Sequence, residues 1–172
     1  MKTLIGYVGT KDFNLLKEED VKALSIINIA FGQVKDGEVI WEAKEAPKYM
    51  KWAKEINSNL KICLSIGGWS AGGFSTAAST KEGREKFAKT AVDILREYDL
   101  DGIDIDWEYP CISIAGIDAS PDDKFNFTLL LEALRNELDK VENKKCLLMV
   151  ATGGDEYFLR CTEMDKASKY LD

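Results

Sequence analysis

"DGIDIDWEYP", Asp101 to Pro110, is the stretch on which the interpretation of this chain turns. Acidic and apolar residues alternate in it: Asp104, Asp106 and Glu108 fall at every second position, with Ile103, Ile105 and Trp107 between them. Alternation of that period marks a β-strand, in which residues i, i+2 and i+4 share a face at a spacing of roughly 6.6 Å. One face then carries three carboxyls, and the other carries three large apolar side chains directed at covering helices. Asp101 has the wrong parity to join the row and is assigned a structural role at the strand's start.

Three neighbouring carboxyls repel one another, and burying them without partners is costly. Inward charges can guard an edge strand against mispairing. This strand, however, is expected fourth of five and inside the sheet, so the cost points to chemistry. Repulsion and low polarity raise the pKa of one member, which can then act as a general acid near neutral pH. Glu108 is the candidate, because it sits at the C-terminal end, the side on which parallel α/β sheets open their sites. Asp104 and Asp106 lie behind it, able to hold a proton between them. A divalent cation is the competing use of three carboxylates. Ligands on one straight strand seldom converge on one ion, so no metal is assigned.

On either side of this stretch, short runs rich in Ile, Leu and Val recur; with it they occupy residues 3–9, 25–32, 61–68, 101–108 and 146–154. They hardly alternate, as parallel strands covered on both faces do. Helical patterns separate them. A weak one covers 14–24, and a second runs from Glu45 to Ile56 with Pro47 in its first turn. A third starts at Ser79, where "STKE" has capping-box spacing. A fourth begins near "SPDD", Ser120 to Asp123, and a fifth near Tyr157 or Thr162. The order is βα repeated five times, without linker or repeat. Pattern and length alone suggest a five-stranded doubly wound sheet.

Composition narrows the chemistry. The 172 residues hold no histidine, so Ser-His-Asp and Cys-His catalysis and histidine metal sites are excluded. A net charge of −7 disfavours nucleic acid, and no apolar run nears the length of a membrane span. The opening "MKTLIGYVGT" reads as a first strand rather than a signal peptide. Cys63, Cys111, Cys146 and Cys161 are widely spaced, without a C-x-x-C pair, and no disulfide is expected. Aromatic residues stand near the strand ends: Tyr7, Phe31, Trp69 and Tyr109. Such rings stack on the apolar faces of sugars, and around an acidic row they suggest a carbohydrate cleft.

With these residues in place, "DGIDIDWEYP" resembles the D-x-x-D-x-D-x-E signature of family 18 glycoside hydrolases, the chitinases and their relatives. "LSIGGWS", Leu64 to Ser70, resembles the family's S-x-G-G motif on the third strand. The resemblance covers nearly the whole chain. It implies an α/β fold of the (β/α)8 TIM-barrel type, of which residues 1–172 supply about the first five βα units of one catalytic domain. It also implies that Glu108 protonates the glycosidic oxygen while Asp106 turns between Asp104 and the substrate's acetamido group. In family 18, unlike most glycosidases, the substrate itself assists the hydrolysis. Tyr7 and Ser65 would hydrogen-bond around Asp104, Trp69 would stack a sugar, Phe31 and Tyr109 would line the cleft, and Gly67 and Gly68 would let the backbone turn beneath it.

The implied partner is chitin or an N-acetylglucosamine oligosaccharide, with no cofactor, nucleic acid or membrane. A chitinase-like lectin, an endo-β-N-acetylglucosaminidase and a peptidoglycan hydrolase are the alternatives within the same family. Polymeric chitin implies action outside the cell, with a cytoplasmic location as the alternative. The family's Tyr-Asp pair on strand six and tryptophan on strand eight have no counterpart here. The chain is therefore expected to be a piece of a longer enzyme and inactive alone.

Overall fold

The computed structural model describes residues 2–172. Its strands and helices follow in chain order: β1 (Ile5–Gly9), α1 (Glu18–Ala23), β2 (Ile26–Lys35), β3 (Glu38–Ile40), α2 (Ala46–Ile56), β4 (Lys61–Gly67), α3 (Phe74–Ala78), α4 (Lys81–Glu97), β5 (Gly102–Asp106), α5 (Asp123–Leu138), β6 (Leu147–Val150), α6 (Glu156–Arg160) and α7 (Met164–Ala167). The sheet runs β1-β2-β4-β5-β6, and every neighbour on that path is parallel. Each strand adds to the edge left by its predecessor, and the order never reverses. A doubly wound sheet requires such a reversal. The topology is therefore that of a (β/α) barrel, and the sheet is not closed. Among the described residues, β1 and β6 each pair on one side only.

Alternation along the strands divides the molecule into two faces. Ile27, Ile29, Ile62, Leu64, Ile66, Ile103 and Ile105 point outward and are buried under the helices. Phe87, Ala91 and Leu95 of α4 and Phe127, Leu131 and Leu134 of α5 cover them. Each large apolar side chain removed from water contributes about 1.5–3 kcal/mol, so this layer dominates the stability. Trp107 closes its upper end, stacked on Phe74 at 5.3 Å and tilted against Phe127 at 6.2 Å. The opposite, inner face is open. Ile5 and Tyr7 remain 44% and 51% exposed there, although both lie in a strand.

Several boundaries differ from the sequence expectation, each for a local reason. The third helix starts after Thr80, whose hydroxyl accepts from the Gly83 N–H at 3.0 Å. Ser79 instead ends the short helix α3 and donates to the Thr76 carbonyl. The weak pattern at 14–24 divides into a 3-10 turn, Phe13–Leu15, and α1. β2 continues past residue 32 into a hairpin with β3, closed by Asp36-Gly37 with φ of 52° and 77°. That is the two-residue turn Asp-Gly favours, because both positions need positive φ. β5 ends at Asp106 and β6 at Val150, both short of the expected runs. The fifth helix is broken into α6 and α7. No helix among the described residues is long and apolar enough to cross a membrane.

Asp101 anchors the entrance to β5. Its carboxylate accepts from Lys54 at 2.6 Å, Lys61 at 3.2 Å and the Ile62 N–H at 2.8 Å. Burial alone would raise this acid, but the bonds to Lys54 and Ile62 outweigh it and hold it below the usual carboxylate range. The residue thus ties α2, β4 and β5 together at the end of the sheet remote from the acidic row.

Candidate active site

The row of acids stands at the C-terminal ends of the central strands. Register places Ser65 of β4 beside Asp104 of β5, and Gly67 beside Asp106. Asp104 is 1% exposed. One of its oxygens accepts from the Ser65 hydroxyl at 2.7 Å and from the Tyr7 hydroxyl at 2.9 Å. Burial raises the Asp104 carboxyl, and these two donors oppose the rise without cancelling it. Asp106, partly buried, is pushed up to about 6, first by burial and then by the charges of Glu108 and Asp104. Both inner members are held above the usual carboxylate range. Glu108 lies two residues past the strand end and is partly buried.

The backbone around the row leaves little freedom. Gly67, with φ of +120°, leaves open the space that a side chain would take: a Cβ there would lie 2.0 Å from the Asp106 carbonyl oxygen. At Gly68, with φ of +90°, a Cβ would meet the Phe31 ring at 2.8 Å. The Gly68 N–H donates to the Asp106 carbonyl at 2.9 Å, locking the β4 loop onto the end of β5. Both glycines are thus needed for close approach as well as for positive φ. The peptide bonds Ala30–Phe31 and Glu108–Tyr109 are cis.

The aromatic residues divide by environment. Trp69 is 59% exposed at the mouth of the β4 loop, and Phe31 is 37% exposed above Gly68. Tyr109 is partly buried, its ring edge-on to Phe158 at 6.4 Å. Phe31 also borders a hollow of about 420 Å³ whose wall includes Thr10, Gln33 and Trp41. A second hollow of about 300 Å³ on the inner face is lined by Tyr7, Asn28, Asp104 and Met149. Among the described residues, no group of three or more His, Cys, Asp or Glu side chains could hold a metal ion.

Three residues of the site region carry no mark in the sequence expectation. Asn28, fully buried beside Tyr7 in the β1–β2 register, faces the second hollow. It is the single amide in the apolar run "SIINIAF", which is the signal that could have found it. Asp118 and Asp123 fasten the loop after β5 to the loop after β4. Asp118 accepts from the Gly73 N–H at 2.6 Å, and from the N–H and hydroxyl of Thr76 at 2.8 Å each. Asp123, with no exposure, accepts from the Ser75 hydroxyl at 2.6 Å, the Ser120 N–H at 2.8 Å and the Cys111 N–H at 3.0 Å. The segment bearing Trp69 and the segment bearing Glu108 are therefore one hydrogen-bonded unit.

Fold and site together define a parallel barrel-type sheet with an acidic row at its C-terminal strand ends. The chain belongs to the glycosyl hydrolases family 18, whose profile matches residues 3–172. Chitinase A1 of Niallia circulans is 44% identical over 124 residues, covering 69% of this chain and 18% of that protein. Putative chitinase 1 of Margaritifera margaritifera is 31% identical over 172 residues, covering 91% and 36%. Among solved structures, a family 18 N-acetylglucosaminidase from Paenibacillus barengoltzii superposes with a TM-score of 0.95 at 46% identity. That match covers 99% of this chain and 51% of the other, so the chain spans about half the length of that relative.

Proposed function

We propose that this chain carries the acid and its supporting carboxyls for retaining, substrate-assisted hydrolysis of β-1,4-linked N-acetylglucosamine, in chitin or its oligosaccharides. The observation that supports this reading best is the graded row itself. Asp104 is held by two hydroxyl donors, Asp106 has its proton affinity raised to about 6, and Glu108 stands foremost. Glu108 donates its proton to the glycosidic oxygen. Asp106, sharing a proton with Asp104, turns toward the acetamido group and orients its carbonyl oxygen for attack on the anomeric carbon. The oxazolinium ion so formed is opened by water, which loses a proton to Glu108, and the anomeric configuration is retained. Substrate thereby takes the place of a second carboxylate.

Trp69 and Phe31 are the stacking surfaces, with Tyr109 beside the acid. The relatives' names, chitinase and N-acetylglucosaminidase, agree with one linkage class. Because Glu108 and both inner aspartates are present, hydrolysis is favoured over a lectin-like role. Action on a polymer outside cells implies secretion of the complete protein. The test is proton NMR of the first product released from a chito-oligosaccharide by the complete protein. A β-anomer supports the reading, and an α-anomer or no product contradicts it.

A further inference from the structure

The four cysteines are free thiols, in two unlike environments. Cys63 and Cys146 are buried in the sheet, and burial pushes both thiols up. Such thiols are inert. Cys111 and Cys161 are both partly exposed and meet one another. Cys111 follows Glu108 by three positions, with a left-handed φ of 63° and its N–H held by buried Asp123 at 3.0 Å. Cys161 ends α6. The Cys111 sulfur lies 3.6 Å from the Pro121 carbonyl and 3.8 Å from the carbonyl of Cys161 itself. The two thiols are also near enough to hydrogen-bond one another. Burial, then a hydrogen bond with the Cys161 thiol, pushes the Cys111 thiol up to about 11.

We propose that Cys111 and Cys161 form a thiol modification site, at which a small-molecule disulfide oxidises the pair to a protein disulfide. One protein thiolate attacks the reagent, forming a mixed disulfide and expelling the first reagent thiolate. The second protein thiolate attacks the protein sulfur of that mixed disulfide and expels the other. The protein loses two electrons and two protons, and the reagent gains both as two thiols. The bridge closes a stretch with a sequence separation of 50 residues, and it ties the loop behind Glu108 to α6. Covalent closure of a stretch that long restricts the unfolded chain and stabilises the fold. This pairing is independent of the hydrolase reading.

The experiment uses the 172-residue chain and graded ratios of oxidised to reduced glutathione, brought to equilibrium at about pH 9 to offset the raised Cys111 thiol. Acid quenching, alkylation and mass spectrometry follow. The expected product has lost two hydrogen masses, yields a Cys111–Cys161 linked peptide, and melts roughly 5–10 °C higher. Cys111→Ser and Cys161→Ser, with circular dichroism matching the parent, each end with glutathione retained on the remaining partner. The proposal is overturned if the parent chain also retains glutathione. It is equally overturned if both thiols stay free at the most oxidising ratio, or if the bridge involves Cys63 or Cys146.

Discussion

Tyr7 donates its hydroxyl to Asp104 at 2.9 Å across 97 residues of chain, from the first strand to the fourth parallel one. The bond joins an edge strand to the innermost member of the acidic row and stabilises charge there. Burial and then the Asp104 charge push the Tyr7 phenol well up, so it remains a donor at every working pH. Tyr7→Phe removes one of the two side-chain donors that hold Asp104 down. The expected outcome is a further rise of the Asp104 pKa. In the complete enzyme, the acidic limb of the kcat profile should move to higher pH, and turnover should fall about 10–100-fold. A pH–rate series on the two proteins measures both.

Asp106 offers a test on this chain alone. Its carboxyl is raised to about 6 in the fold, so protonation favours folding. Its contribution is most favourable below the ordinary carboxylate pKa and is lost as pH rises from about 4 through about 6. Asp106→Asn removes that loss. The variant should be more stable than the parent above pH 6 by on the order of 1 kcal/mol after solvent screening. That equals roughly 2–4 °C in Tm, shrinking toward pH 4. Thermal melts across this range give the answer.

Asp101 should behave in the opposite sense. Asp101→Ala leaves the Ile62 N–H without its acceptor and Lys54 with the Leu60 carbonyl but no counter-charge there. A loss of about 2–3 kcal/mol is expected, or roughly 4–12 °C in Tm. Because the folded carboxyl is depressed, its contribution is present above its unfolded pKa and disappears as pH falls through the folded one. The gap between parent and variant should therefore narrow in acid, which melts at a series of pH values will reveal.

Asp123 couples the two loops of the site. Asp123→Ala leaves three donors unsatisfied in a fully buried place and should cost about 2–4 kcal/mol. Ser75→Ala removes the cross-loop bond alone. In the complete enzyme it should lower kcat more than it alters KM, because Glu108 loses alignment while Trp69 stays exposed. Steady-state kinetics on a soluble chito-oligosaccharide separates the two.

Much of this architecture is readable without coordinates. The period of two in "DGIDIDWEYP" assigns faces to Asp104, Ile105, Asp106 and Trp107 because strand geometry leaves no alternative. What periodicity cannot convey is order in space. Five βα units suit a doubly wound sheet as well as part of a barrel, and motif resemblance separates them in advance of the strand order. The hairpin at Asp36-Gly37 carries its own signal in the dipeptide, masked by the longer apolar run before it. Asp118 and Asp123 are not legible as a clamp, since their donors lie up to 48 residues away on another loop. The raised pKa of Asp106 is likewise a product of packing and of two neighbours.

The mechanism stands or falls with Glu108 as the proton donor. The decisive assay is release of 4-methylumbelliferone from a chitobiose glycoside by the complete protein and by its Glu108→Gln variant, with oligosaccharide binding followed in parallel. A fall in kcat of about 10²–10⁴-fold with binding retained is the expected result. Turnover within a few fold of the parent would contradict it.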